Sequence, residues 1–82
     1  MRVLYFAWLR ERVGVASEEI DTAGAETAAE LIHDLRGRED RYARAFEDMA
    51  SVRVAVDQEM RPIDASIAGA REIAFFPPVS GG

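Results

Sequence analysis

The hydrophobic positions of this chain fall into short segments, and most of them have the two-residue period of strands. Residues 3–8 are apolar and rich in β-branched and aromatic side chains, which predicts a strand that is apolar on both faces. Residues 52–56 alternate strictly and predict a second strand, and residues 72–76 predict the last one. Residues 17–21 suit a short edge strand, which would form a hairpin with the first strand across a turn at Gly14.

Two further segments follow the helical period. Thr27 and Glu30 have the spacing of a capping box, which is typical of a helix start. The apolar positions that follow lie on one helical face: Ala28, Leu31, Ile32 and Leu35. This helix is expected to stop near Gly37, and residues 40–48 predict a shorter helix. The order of elements predicts an α+β domain, in which a small mixed sheet carries one main helix on one face.

One main helix can cover only one face of such a sheet. Residues 58–70 are expected to be irregular, so the second face would lack a cover. Alternation places Phe6 and Phe76 on that second face, together with Met60 from the nearby turn. Soluble monomers seldom expose a large contiguous apolar patch, so this pattern indicates a protein partner. The alternative is that the short helix or the 58–70 segment folds over this face.

Composition narrows the class of protein. We assign residues 1–77 to one domain and residues 78–82 to a flexible C-terminal tail, since 82 residues leave no room for a second domain. Cysteine is absent, which excludes disulfides and thiolate metal sites, and no other metal-binding pattern occurs. The ten basic residues are all Arg and face fifteen acidic residues, and a net charge of −5 argues against nucleic-acid binding. With no membrane segment or signal peptide, we expect a cytoplasmic protein.

The end of the chain is the candidate reactive site. It narrows in steps: Pro77 and Pro78, then Val79 and Ser80, then Gly81 and Gly82. Two prolines predict a stiff, extended exit, and a Gly-Gly end can thread a narrow channel without side-chain clashes. The reactive group would be the α-carboxylate of Gly82, which becomes electrophilic only after activation, most simply as an acyl-adenylate. Since the chain has no phosphate-binding loop, a partner enzyme would have to use ATP for this step. An inert or disordered end is the alternative.

These residues resemble a known family. The sequence Phe-Phe-Pro-Pro-Val-Ser-Gly-Gly at 75–82 is similar to the C-terminal signature of the molybdopterin synthase small subunit, and residues 3–14 resemble the start of that family. The resemblance implies a β-grasp, ubiquitin-like fold. It also implies that an E1-like adenylyltransferase adenylates Gly82, and that a sulfur donor protein then converts Gly82 to a thiocarboxylate (1-thioglycine).

The resemblance further implies a non-catalytic carrier that binds no cofactor of its own. Its tail, residues 77–82, would enter the large catalytic subunit of molybdopterin synthase, with which it would form a heterotetramer. There the sulfur would pass to cyclic pyranopterin monophosphate to build the molybdopterin dithiolene. The hydrophobic docking positions of the family carry over onto Phe6, Met60 and Phe76, and Trp8 would enlarge the docking patch.

Other functions remain open at this stage. The chain could carry sulfur for another pathway, such as thiazole or cysteine synthesis. It could instead be a ubiquitin-like modifier that is attached to lysines of target proteins, or a binding module with an inert tail. The single histidine, His33, falls opposite the apolar stripe of the main helix and is expected to be solvated rather than catalytic.

Overall fold

A mixed sheet with helices packed on one face organises the chain. The computed structural model describes residues 1–78. In chain order the elements are β1 (Arg2–Tyr5), α1 (Ala7–Val13), β2 (Ser17–Glu19), α2 (Ala28–Arg38), α3 (Asp40–Ala45), a 3-10 turn (Met49–Ser51), β3 (Arg53–Val56), β4 (Glu59–Arg61) and β5 (Glu72–Phe76).

The five strands have the order β2-β1-β5-β3-β4. The central strands β1 and β5 are parallel, whereas β1 with β2, β5 with β3, and β3 with β4 are antiparallel. Because β5 lies in the middle of the sheet, Pro77 and Pro78 continue the chain from the centre of one sheet end. The predicted α+β fold with a small mixed sheet is therefore confirmed.

The hydrophobic core lies between the sheet and α2. Alternate residues of β1 and β5 point to this side, so that Val3, Tyr5 and Phe75 are almost fully buried. The ring of Phe46, which follows α3, meets Phe75 edge to face at 5.0 Å between centroids. The predicted apolar stripe of α2 completes the core, and its members are also fully buried: Ala28, Leu31, Ile32 and Leu35.

The prediction of a strand over residues 3–8 is wrong beyond Tyr5. At Ala7 the backbone has a φ of 53°, which turns the chain out of the sheet and into α1. Leu9 and Val13, four residues apart, bury one side of α1. Trp8 consequently lies in a helix instead of the sheet, and the guanidinium of Arg12 covers its ring at 4.7 Å. The expectation that Trp8 enlarges the sheet's docking patch is therefore wrong.

The predicted helix starting at residue 28 is confirmed with its cap. The hydroxyl of Thr27 accepts a hydrogen bond from the backbone N–H of Glu30 at 3.1 Å. The helix passes through Gly37 and ends at Arg38, so the expected stop is slightly early.

The segment from 58 to 70 was expected to be irregular, but it begins with β4. Residues 57 and 58 have φ values of 48° and 70°, which bring β4 back beside β3 as a tight hairpin. The sequence gives little sign of this strand, because Glu59, Met60 and Arg61 are not typical strand residues and the element is only three residues long.

Candidate functional site: an apolar sheet face beside the tail

The face of the sheet opposite the helices carries a row of apolar side chains. Leu4 pairs with Ala74, Ala74 with Ala55, and Ala55 with Met60, so these residues lie side by side across four strands. Ala74 and Ala55 in the middle have small side chains, so the centre of the row is shallower than its two sides, where Leu4 and Met60 lie. We call this row, together with Phe6 and Phe76, the apolar face.

The three predicted docking residues all belong to the apolar face. Phe6 is 49% exposed and Met60 is 64% exposed, which is unusual for large apolar side chains. Phe76 is half-buried at the end of β5. The N–H of Phe6 donates to the carbonyl oxygen of Phe75 at 3.1 Å, and this bond holds Phe6 at the sheet end from which Pro77 emerges. Their role in binding a partner stays a prediction.

No described segment of the chain folds over the apolar face. The short helix α3 packs against α1 and α2, on the other side of the sheet. The loop after β4 runs beside the start of α2, where Ala65 accepts a hydrogen bond from Ala28 and the buried Ile67 donates to Glu26. Among residues 1–78, both elements that the sequence offered as covers are thus placed elsewhere.

The tail begins next to this face. Pro77 and Pro78 follow the central strand directly and are half-buried. Val79, Ser80, Gly81 and Gly82 lie outside the described residues, so the predicted threading of this segment and the chemistry at Gly82 stay predictions. The structure therefore places the start of the tail at the sheet end where Phe6 and Phe76 of the apolar face lie.

Sequence reasoning missed a polar cluster on the helix side. The carboxylate of Glu18 on β2 accepts hydrogen bonds from the hydroxyls of Tyr5 at 2.8 Å and Tyr42 at 2.6 Å. Arg41 donates to the same carboxylate at 3.3 Å and to the carbonyl oxygen of Val13 at 3.3 Å. In the sequence, Glu18 is one more polar residue of a predicted edge strand. Only the strand register, in which Glu18 lies opposite Val3, shows that its side chain is directed to the edge of the core.

The pKa values in this cluster follow from burial and hydrogen bonding. Burial, together with the bond to Glu18, raises the pKa of Tyr42 to about 12 and moves the pKa of Tyr5 upward as well. Burial also opposes ionisation of Glu18, but the bonds from both tyrosines and the charge of Arg41 outweigh it and lower the pKa of Glu18. At neutral pH Glu18 is therefore an anion surrounded by donors. Such a saturated cluster joins β1, β2 and α3 and suits a structural role.

Other kinds of site find no support in residues 1–78. No group of three or more His, Asp or Glu side chains in this part of the chain lies close enough to hold a metal ion. His33 is exposed on α2, as expected. Within the same residues, no helix has both the length and the apolar character needed to cross a bilayer.

The fold and the exposed face define the class of protein. A five-stranded mixed sheet of this order, with its helices on one face, is a β-grasp domain of the ubiquitin-like kind. The family model of the ThiS family matches residues 3–82, and the chain belongs to this family.

Curated relatives and a solved structure agree with this assignment. The molybdopterin synthase sulfur carrier subunit of Escherichia coli is 38% identical over 82 residues, which covers 100% of this chain and 99% of the relative. The protein of the same name from Haemophilus influenzae is 37% identical with the same coverage. SAMP1 from Haloferax volcanii is 27% identical, covers 100% of this chain and 98% of its own, and superimposes with a TM-score of 0.71. The resemblance predicted from the tail octapeptide is thus confirmed.

Proposed function

We propose that this chain is the sulfur carrier subunit of a molybdopterin synthase. The observation that carries the proposal is the uncovered apolar face at the sheet end where the tail begins, in a chain whose relatives are named as this subunit. A carrier needs a surface by which a partner holds it and a thin segment that reaches the reaction centre. Phe6, Met60 and Phe76 supply the first, and residues 77–82 supply the second.

The chemistry is centred on Gly82. An ionised carboxylate is a poor electrophile, so an E1-like adenylyltransferase first joins it to AMP, with release of pyrophosphate from ATP. A persulfide of a donor protein then displaces AMP and forms an acyl disulfide. A thiol cleaves its S–S bond, which leaves a thiocarboxylate at the terminus and a disulfide on the donor side. The sulfur of the thiocarboxylate is more polarisable and more nucleophilic than the oxygen it replaces. The ATP chemistry belongs to the partner, and we expect these steps to take place in the cytoplasm.

Transfer takes place in the large catalytic subunit. There the thiocarboxylate sulfur forms a bond to a carbon of cyclic pyranopterin monophosphate. Water then hydrolyses the resulting thioester, so the sulfur stays on the product and the terminus returns to a carboxylate that can be loaded again. A dithiolene contains two sulfur atoms, so two loaded carriers are used for each product. A heterotetramer of large and small subunits provides this supply. The carrier contributes no general base, and the catalytic groups belong to the large subunit.

A second candidate function is protein modification. It is favoured by the likeness to SAMP1, which is named small archaeal modifier protein 1. The same activated terminus could acylate a lysine amine instead of accepting sulfur. This chain contains no lysine, so any isopeptide bond would have to join it to a different protein.

Intact-mass spectrometry of the full chain separates these functions. The purified protein is incubated with an E1-like enzyme, ATP and a sulfur donor, and we expect the mass increase of one oxygen replaced by sulfur. Adding the large subunit and cyclic pyranopterin monophosphate should return the original mass and yield molybdopterin. A variant that lacks Gly82 should show neither change. Its thermal stability should be unchanged, because the buried core lies between Val3 and Phe75.

The matched control is Ser80→Ala, which alters the tail but keeps the terminal glycine and should still accept sulfur. Recovery of lysine-linked adducts instead of a thiocarboxylate would favour the modifier. A mass that stays unchanged with every combination of enzyme and donor would contradict both functions.

A further inference from the structure

A cleft of about 350 Å³ opens at the same end of the sheet as the tail. It lies where β3 begins and β4 ends, next to the 3-10 turn. Apolar side chains and two arginines form most of its lining: Met49, Val52, Arg53, Arg61, Pro62 and Ile63. None of the residues that line it is acidic. We call it the arginine cleft.

The arginine cleft adjoins the apolar face. Arg53 is the direct partner of Phe76 across β3 and β5, so its side chain leaves the sheet on the apolar face. Arg61 is the partner of the buried Val54 and leaves β4 on the opposite face, so the two arginines line the cleft from the two sides of the sheet end. Neighbouring strands are about 4.8 Å apart, so the cleft begins one strand spacing from the point where the chain leaves β5. A protein that covers Phe76 and receives the tail must therefore pass beside Arg53.

The guanidinium groups of Arg53 and Arg61 have N–H donors without an acceptor among the described residues. Nη1 of Arg53 donates to the carbonyl oxygens of Ala50 at 2.9 Å and Val52 at 3.2 Å, which orients the side chain. Its other nitrogens have no acceptor among the described residues. Arg61 is exposed and forms neither a hydrogen bond nor an ion pair within residues 1–78. Ion pairs occupy Arg12, Arg38 and Arg41, whereas other arginines such as Arg36 are exposed without one, so the absence of acids from the lining is what distinguishes the cleft.

Charge and lining together indicate the ligand. The whole chain carries a net charge of −5, so a cleft that contains two arginines and no acid is a local exception. A guanidinium binds a carboxylate through two parallel hydrogen bonds, and these bonds are stronger where apolar walls exclude water. A phosphate offers similar oxygens. However, a nucleotide joined to Gly82 would be separated from Phe76 by six residues, which span up to about 20 Å when extended. This distance favours a carboxylate of the partner over a nucleotide phosphate as the ligand of the cleft.

We propose that the arginine cleft binds an Asp or Glu side chain of the large subunit, on a segment where apolar residues flank the acid. Arg53 and Arg61 are positioning residues: they fix the orientation in which the partner meets the apolar face and receives the tail. This inference rests on the proposed function and adds the chemistry by which the partner is recognised.

The test measures binding of full-length carrier variants to the large subunit by calorimetry. The double variant Arg53→Glu/Arg61→Glu should bind about 30-fold more weakly or worse, because it places like charges against the partner's carboxylate. Replacing both arginines by Gln should weaken binding less and should reduce its dependence on salt. Sulfur transfer should show a raised KM for the carrier with kcat nearly unchanged, because the cleft takes no part in the chemistry.

Arg36→Glu is the matched control. Arg36 is exposed on α2, on the helix side of the sheet, and forms no ion pair within residues 1–78. The change alters the net charge as much as either single replacement in the cleft and should leave the affinity within about twofold. Arg61→Glu alone serves if loss of the Arg53 hydrogen bonds unfolds the double variant. A charge exchange, in which one acid of the large subunit is changed to Arg, should restore binding to the double variant.

Three results would overturn the inference. If the wild-type carrier binds the large subunit and the double variant binds equally well, the cleft takes no part in docking, while the proposed function stands. If the double variant keeps its affinity but loses adenylation by the E1-like enzyme, the arginines serve a nucleotide phosphate instead. A wild-type carrier that accepts no sulfur and does not bind the large subunit would contradict the proposed function itself, and this inference with it.

Discussion

At the residue scale, Glu18 shows how a polar side chain can stabilise a small core. Its carboxylate lies at the edge of the core, where it is the only hydrogen-bond partner of the Tyr5 hydroxyl among the described residues and the acceptor for the Tyr42 hydroxyl. Within residues 1–78 no buried side-chain nitrogen or oxygen lacks a hydrogen bond. The sequence could not reveal this, since the three residues are far apart in the chain and meet only after β2 and α3 have packed.

Glu18→Gln should therefore destabilise the fold in a pH-dependent way. The folded protein lowers the pKa of Glu18, so ionised Glu18 adds stability above its pKa in the unfolded chain, and this stability is lost as pH falls through the folded-state pKa. We expect a loss of about 1–2 kcal/mol at neutral pH, measured by denaturant unfolding. At about pH 3, below the ordinary Glu pKa, the difference should shrink.

Glu19→Gln is the control for this change. Glu19 is the neighbouring residue on β2, but its side chain is 78% exposed and meets only the N-terminal ammonium group, at 3.5 Å. Its replacement should change the free energy of unfolding little at either pH. Equal losses for the two variants would show that Glu18 does not act as the centre of the cluster.

At the scale of elements, α2 could be predicted from the sequence because it has a clear period and a clear start at Thr27, and β5 because it is an apolar run closed by two prolines. α1 could not be predicted from period alone. The strand β1 continues into it through an apolar run without Gly or Pro, and the reversal depends on the unusual backbone of Ala7. One signal was available: Arg10 and Arg12 followed by Gly14 are typical of a helix end.

Gly14→Ala tests this helix end. Gly14 has a φ of 98°, and its N–H donates to the carbonyl oxygen of Arg10 at 2.8 Å. A Cβ added here would meet no atom within 4 Å, so the cost comes from the backbone alone. We expect a loss of about 1 kcal/mol in the free energy of unfolding.

Gly37→Ala should have the opposite effect on the free energy of unfolding from Gly14→Ala. Gly37 lies within α2, and a Cβ there would also meet open space. Because Ala favours a helix, this change should stabilise the fold by up to about 1 kcal/mol. Denaturant unfolding of the two variants side by side measures both. If both changes had the same sign, backbone conformation would not be the cause.

At the scale of the whole molecule, the two faces of one sheet have separate tasks. The helix side holds the fold together through a buried core that includes Tyr5, Phe46 and Phe75. The other side leaves Phe6 and Met60 in contact with solvent. Sequence reasoning predicted an uncovered face because it counted one main helix for two apolar sheet faces. It could not predict the arginine cleft, which forms only when β4 pairs with β3.

Met60→Arg tests whether the apolar face binds the partner, and it should disturb the fold little. Met60 is 64% exposed on β4, so an arginine fits there without a new buried charge, and the thermal unfolding temperature should change little. If the large subunit covers this side chain, the variant should bind at least about tenfold more weakly in calorimetry, since an apolar contact is replaced by a charge that must be desolvated. Val15→Arg is the control: Val15 is also an exposed apolar residue, 38% exposed, but it lies in the loop between α1 and β2. Equal affinity of both variants would place the partner elsewhere, whereas selective loss with Met60→Arg would assign docking to the apolar face.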